Sequence, residues 1–216
     1  MTHLISKTLF QEFLYCPKNI WLKLHKPELL KKFKLSEFEL HLIEQGNEVE
    51  SVARGRFPGG IDVGESGENG VAETQRLMTA KSSVVFQATF IKDGFIARND
   101  VLKYNPEHAC WDLYEIKATN SIKENRERDH IVDIAFQASV LLRAHVPMGR
   151  YFHMRLNKEY VRNGELDSNA LFEIEDMTKR VMGRLPEVEE KMEVAQQYLN
   201  QGSEPIGGCE CVYSVR

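Results

Sequence analysis

Cysteine, tryptophan and proline are scarce in this chain of 216 residues, and no uninterrupted apolar run approaches the length of a membrane span. The four cysteines, Cys16, Cys110, Cys209 and Cys211, are too few and too scattered for a disulfide scaffold in a chain of this size. The amino terminus, Met1 to Glu12, lacks the basic region, apolar core and small-residue cleavage site of a secretory signal. The cytoplasm is therefore the expected location, and a membrane is not an expected partner. Net positive charge is also lacking: a balance of -4 excludes a protein coated in nonspecific basic surface. What remains is an ordinary globular composition, 42% apolar, with no internal repeat, low-complexity tract or long polar linker. These features predict a single domain over 1–216, with a mainly helical lobe (1–82), a sheet core (83–180), and a carboxy-terminal helix with a cysteine-containing tail (181–216).

The charge is uneven. Residues 1–34 hold seven lysines against Glu12 and Glu28, whereas residues 165–204 carry ten acids against four bases. The amino-terminal segment is the better polyanion candidate, and Lys18, Lys23 and Lys26, with Trp21 interleaved, suit a phosphate backbone. A lysine-rich helix is equally read as a solvated face. Cys209-Glu210-Cys211 offers two thiolates to one centre, which Cys16 joins only if the chain ends meet; Cys110 reads as a packing residue.

Residues 7–31 read as one or two helices with an apolar stripe of Leu9, Phe10, Phe13 and Leu14, broken or restarted at Pro17. A helix is expected from Ser36 to about Arg54, an irregular glycine-rich loop over 57–70, and a short helix from Val71 to Ala80. The pattern then turns extended. Val84–Ile91 is β-branched and aromatic, Lys92-Asp93-Gly94 is a hairpin turn, and Phe95–Lys103 is the returning strand. A strand over Trp111–Ala118, a helix from about 126 to 145, strands over 149–156 and 171–174, and a long helix complete the order. It predicts a mixed α/β layer.

Chemistry is concentrated on two of these strands. Residues i and i+2 share a face, so Glu115 and Lys117 point one way and Ile116 the other. A meander through Asn105-Pro106-Glu107-His108 brings Asp100 beside Glu115. Two carboxylates with water and a phosphate oxygen suit Mg or Mn. The bare acid-x-lysine pattern is weak, since Glu189-Glu190-Lys191 repeats it in a charged helical stretch. By spacing alone the first copy is equally a cross-strand ion pair on a solvated face.

The order of elements adds to this. Asp100 at the end of one strand, Glu115-Ile116-Lys117 on the next, and a helix bearing Asp133 and Gln137 resemble the PD-(D/E)XK nuclease superfamily, in its RecB-like branch that includes CRISPR-associated exonucleases. Ser6-Lys7 through Cys16-Pro17-Lys18 and Trp21-Leu22, the Phe57-Pro58-Gly59-Gly60 loop, and Asn157 to Arg162 are similar to an uncharacterised bacterial family within that branch. The resemblance implies a restriction-endonuclease-like mixed sheet flanked by helices, with a helical amino-terminal lobe. It implies catalytic Asp100, Glu115, Lys117 and Gln137, with Asp100, Glu115, the Ile116 carbonyl and Glu50 as ligands of Mg or Mn. Glu50 stands where CRISPR-associated relatives carry a metal-binding histidine, and is otherwise a solvent-facing acid on an amphipathic helix. Gln87 replaces an acid common in similar sequences.

Clustered members of the branch bind iron and sulfur through one cysteine before the core and three after it. Cys16 fits the first role, but only Cys209 and Cys211 follow, so no intact cluster is expected. The implied activity is a Mg- or Mn-dependent deoxyribonuclease, exonuclease-like, acting on DNA ends or single strands in repair, recombination or defence, with a helicase as one class of partner. The alternative is a catalytically inactive nucleic-acid-binding or assembly module of the same fold.

Overall fold

The computed structural model describes residues 3–29, 36–125 and 129–206. A short strand β1 (Ile5–Ser6) leads into helices α1 (Lys7–Tyr15) and α2 (Pro17–His25). The Ser6 hydroxyl accepts the Leu9 N–H to cap α1, and Pro17 stands in the first turn of α2, where its missing N–H costs nothing. Helix α3 (Glu37–Arg54) starts on a capping box in which Ser36 and Glu39 satisfy each other's free amides.

Residues 57–70 are more regular than their glycines suggest. Ile61–Asp62 forms strand β2, paired in parallel with β3 (Val84–Lys92), and helix α4 (Gly67–Thr79) begins well before Val71. The reason is packing. A Cβ on Gly70 would stand 2.9 Å from the Glu65 carbonyl oxygen and 3.1 Å from Thr89 Oγ1, so this glycine lets the helix approach β3 rather than ending it.

The hairpin from β3 to β4 (Phe95–Asn105) turns on Asp93 and Gly94, both with positive φ, and pairs Lys92 with Phe95, as a two-residue primed turn requires. Strand β5 (Cys110–Lys117) follows, antiparallel to β4. Helix α5 (His130–Arg143) then carries the chain back to β6 (Met148–Leu156), which is parallel to β5. The short α6 (Ser168–Leu171), the antiparallel strand β7 (Phe172–Asp176) and α7 (Thr178–Asn200) complete the chain. The sheet runs β2-β3-β4-β5-β6-β7, with β1 alongside the start of β4. The architecture is a mixed α/β sheet flanked by helices.

Two apolar cores lie against it. The larger gathers Phe10, Phe13, Ile20 and Trp21 from α1 and α2 with the near-continuously buried α5, one face of α7, and Trp111 and Leu113 of β5. The smaller holds Ala53 and Phe57 with Phe86, Val101, Tyr114 and Ile116. Helices α1 and α2 thus share the main core, whereas α3 packs on the smaller one. Strict alternation fails at one place: Val85 and Ala88, three residues apart, both belong to the larger core, and the residue that breaks the pattern is Gln87, with φ 55°. Ala97 and Leu102 show the same break on β4, so the two strands change face together while their pairing register is kept.

Candidate functional site

Trp111, Leu113, Glu115 and Lys117 share the face of β5 that meets the larger core, and Tyr114 and Ile116 take the other, as the period of two requires. The antiparallel register pairs Val101 with Tyr114, and one step further it sets Asp100 across from Glu115. Asp100 Oδ2 accepts the Ile116 N–H at 2.8 Å. Glu115, only 1% exposed, is held from three sides: Oε1 accepts from Lys117 Nζ at 2.8 Å and from Lys7 Nζ at 2.6 Å, and Oε2 accepts from Gln137 Nε2 at 2.7 Å. Lys117 Nζ is anchored a second time by Asp133 Oδ2 at 2.7 Å. Asp133 and Gln137, one turn apart on α5, therefore address the strand pair together. Gln11 of α1 donates to Asp133 as well.

Asp100, Glu115, Lys117 and Gln137 thus converge as the sequence suggests. Lys7 and Gln11 were missed. The readable signal for Lys7 was a mismatch: a lysine in the first turn of a helix opposes the positive end of the helix dipole, a placement that needs a reason. Strand β1, paired with β4, supplies the geometry by fixing the start of α1 against the sheet.

Burial disfavours every charge in this group, and the outcome depends on the neighbours. Asp100 is pushed up to about 7, by burial first and by the Glu115 charge next. Burial also raises Asp133 despite Lys117 beside it. In Glu115 burial is overcome by Lys117 and Lys7, which hold its carboxyl well below the usual carboxylate range. Both lysines, burial notwithstanding, are held above the ordinary lysine range, chiefly by Glu115. Three carboxyl groups thus face two ammoniums, a shortage of positive charge that leaves both Asp100 and Asp133 raised.

A divalent cation would supply the missing charge. Among the described residues no three histidine, cysteine, aspartate or glutamate side chains gather as a ready ligand cage. A hard cation of the Mg or Mn kind needs only one or two protein carboxylates, with water and substrate oxygens completing its shell. Asp100 and Glu115, on adjacent strands, meet that requirement. Gln137 Oε1, buried and without a hydrogen-bond partner, leaves an acceptor at the same place.

Glu50 approaches from α3. Its Oε1 accepts from Gln87 Nε2 at 2.5 Å and from Arg54 at 2.7 Å, while Gln87 reaches Asp100 Oδ1 at 3.4 Å. Glu50 therefore touches the centre through Gln87 and is neutralised by Arg54. Gln87 is itself in the left-handed region, a conformation costing about 1–3 kcal/mol for a non-glycine residue and retained where the surroundings demand it.

On the other side of the centre His130 and His153 stack, with centroids 4.9 Å apart and His153 Nε2 2.9 Å from His130 Nδ1. The Lys123 N–H also points at His130 Nδ1, so that nitrogen accepts and His153 Nε2 carries the proton. His153 Nδ1 is then a buried acceptor without a partner. Burial, with Lys117 next for His130, lowers both rings to about 4.

The other described sequence candidates have partners outside this cluster. Lys18 donates to the Pro205 carbonyl and lies 3.3 Å from Glu204, Lys26 lies 2.6 Å from Glu204, and Lys23 lies 2.9 Å from Glu12. Cys16 is buried at the junction of α1 and α2, and Cys110 is buried at the start of β5. Cys209 and Cys211 lie outside the described residues.

No family model matches the chain, and no curated protein matches it. Among solved structures it is similar in shape to an alkaline exonuclease from Laribacter hongkongensis, at 12% identity over 90% of each chain with a TM-score of 0.43. At that level the likeness says nothing of the chemistry, which rests on the side chains around Glu115.

Proposed function

We propose that the protein is a metal-dependent nuclease of the PD-(D/E)XK superfamily, RecB-like branch, that hydrolyses DNA phosphodiester bonds in an exonuclease-like manner. The observation that carries this reading is the convergence of Asp100, Glu115, Lys117 and Gln137 on one buried charged centre. Asp100 and Glu115, with the Ile116 carbonyl, would hold Mg or Mn, and Glu50 would assist through Gln87. Such a metal, when bound, acidifies water and neutralises charge developing on the phosphoryl group. The chain's own groups do the positioning. Lys117, fixed between Glu115 and Asp133, has donors and no lone pair, so it orients the attacking water or a phosphoryl oxygen rather than taking a proton. Gln137 fixes the second oxygen of Glu115. Lys18, Lys23 and Lys26 would follow the strand, at DNA ends or in single strands, in repair, recombination or defence, with a helicase as the class of partner that supplies them.

Incubation with end-labelled DNA and Mn is the test. Cleavage is expected from the wild type and is expected to vanish in Lys117→Ala and Glu115→Ala; activity that survives both substitutions would sink the assignment. One observation favours a second reading, an inactive nucleic-acid-binding or assembly module: the acid that would complete the ligand set is neutralised by Arg54, and an amide, Gln87, stands next to Asp100. Calorimetry separates the two, because an inactive module would show no saturable Mn binding that depends on Asp100.

A further inference from the structure

Lys7 differs from every other member of the centre in how it is held. Lys117 has two carboxylate anchors, Glu115 and Asp133, whereas among the described residues Glu115 is the one acid paired with Lys7. The Lys7 side chain is 24% exposed and reaches the site on a flexible four-carbon stem from the first residue of α1, so it can leave without moving the backbone. Its target is crowded. Glu115 Oε1 already accepts from two ammoniums, at 2.6 and 2.8 Å, and Oε2 accepts the Gln137 amide, while Asp100 has one N–H and one long amide contact.

A divalent cation shared by Asp100 and Glu115 needs a lone pair of Glu115, and it would meet an ammonium that occupies the same field. Lys117 is retained by Asp133; Lys7 is not. We propose that Lys7 is a built-in counter-cation for the metal position: its ammonium neutralises Glu115 before loading and must withdraw when a divalent cation binds. The inference rests on the metal-dependent reading above. Metal affinity is then set by competition with an internal charge, and two ligands of one anion that exclude each other are coupled negatively.

Calorimetric titration of the full chain with Mn, in wild type, Lys7→Met, Lys7→Arg and Glu115→Gln, tests this, with thermal unfolding as the control for folding. Lys7→Met is expected to bind Mn about tenfold more tightly than wild type, Lys7→Arg to stay close to wild type, and Glu115→Gln to lose binding. Should Lys7→Met fail to fold, Lys7→Gln repeats the test with an uncharged donor on Glu115. Equal or weaker Mn binding in the uncharged variant, with binding still lost in Glu115→Gln, overturns the competition and leaves the metal site standing. An absence of saturable binding in every folded protein overturns both.

Discussion

Two groups of lysine and glutamate side chains in this protein make contacts of similar length in opposite surroundings. Lys7 and Lys117 meet Glu115 at 2.6 and 2.8 Å; Lys26 and Lys23 meet Glu204 and Glu12 at 2.6 and 2.9 Å. The inner lysines are somewhat less accessible than the outer two, at 24% and 22% exposed against 39% and 36%. The acids differ far more: Glu115 is 1% exposed, against 37% for Glu12 and 40% for Glu204. An exposed pair gains little over its hydrated partners, whereas a carboxylate removed from water is tolerated only while its partners stay in place. Distance alone therefore does not rank these pairs. The buried acid ties the inner group together and leaves the outer group a surface.

The comparison breaks most visibly at the acids. Among the described residues Glu115→Ala leaves Lys7 without its carboxylate and Lys117 with Asp133 alone, and is expected to cost about 3–5 kcal/mol in urea denaturation, together with a loss of the proposed Mn-dependent cleavage of at least about 100-fold. Glu12→Ala is expected to cost less than about 1 kcal/mol and to leave cleavage unchanged. Comparable losses of stability in the two variants would remove the distinction between the groups.

A smaller effect follows from Lys117→Ala. Among the described residues it leaves Asp133 with the Gln11 amide as its remaining side-chain donor, for a loss of about 1–3 kcal/mol, while Lys7 and Gln137 still hold Glu115. Cleavage is expected to fall by about 100-fold or more, measured under single-turnover conditions, so that this variant separates chemistry from folding better than the glutamate variants do.

Acid titration sharpens the comparison further, because His130 and His153 lie beside the inner group. Each ring has a pKa of about 4 in the folded protein against 6.5 in the unfolded chain. Between those values the unfolded chain binds the protons, so the stability from keeping the rings neutral is complete above about 6.5 and is lost as pH falls toward about 4. Asp100 acts with the opposite sign: its pKa of about 7 against 3.8 gives stability that is present below 3.8 and lost as pH rises through about 7. The other charges facing the rings are Lys117, Lys123, Glu115, Arg155 and Glu175. The wild type is expected to lose on the order of 1–2 kcal/mol between pH 6.5 and 4.5 as these contributions partly offset. Thermal unfolding should show a steeper fall in Asp100→Asn and a flatter one in His153→Phe.

How much of this was legible depends on the range of the forces involved. The alternation in Trp111–Lys117 and the Asp93-Gly94 turn are local, and they gave the strands and the shared face of Glu115 and Lys117 directly. The second copy of the acid-x-lysine pattern was separable for the same reason: Glu189 and Lys191 lie on a helix, where Glu189 accepts from the Ser139 hydroxyl and Lys191 pairs with Glu187. The oddity of Lys7 was legible but its partner was not, because Glu115 is 108 residues away and the pairing of β1 with β4 brings the two together. The face change at Gln87 was hidden in an apparently regular strand, since a left-handed glutamine has no sequence signature. Gly70 misled, because glycine serves close packing as readily as it serves a loop.

The smallest expected effect belongs to the outer lysines. Lys18, Lys23 and Lys26 are paired with acids of the same chain at exposed positions, so a phosphate can displace Glu12 or Glu204 at little cost. If these lysines follow a nucleic-acid backbone, Lys23→Ala should weaken DNA binding uniformly across sequences and reduce the slope of log affinity against log salt by about one. Its stability should change by less than about 1 kcal/mol. Fluorescence anisotropy with labelled single-stranded DNA between about 50 and 200 mM salt measures the slope. An unchanged slope in Lys23→Ala and Lys26→Ala together would confine nucleic-acid contact to the inner group, making the amino-terminal lysines a solvated face whose charge is spent on Glu12 and Glu204.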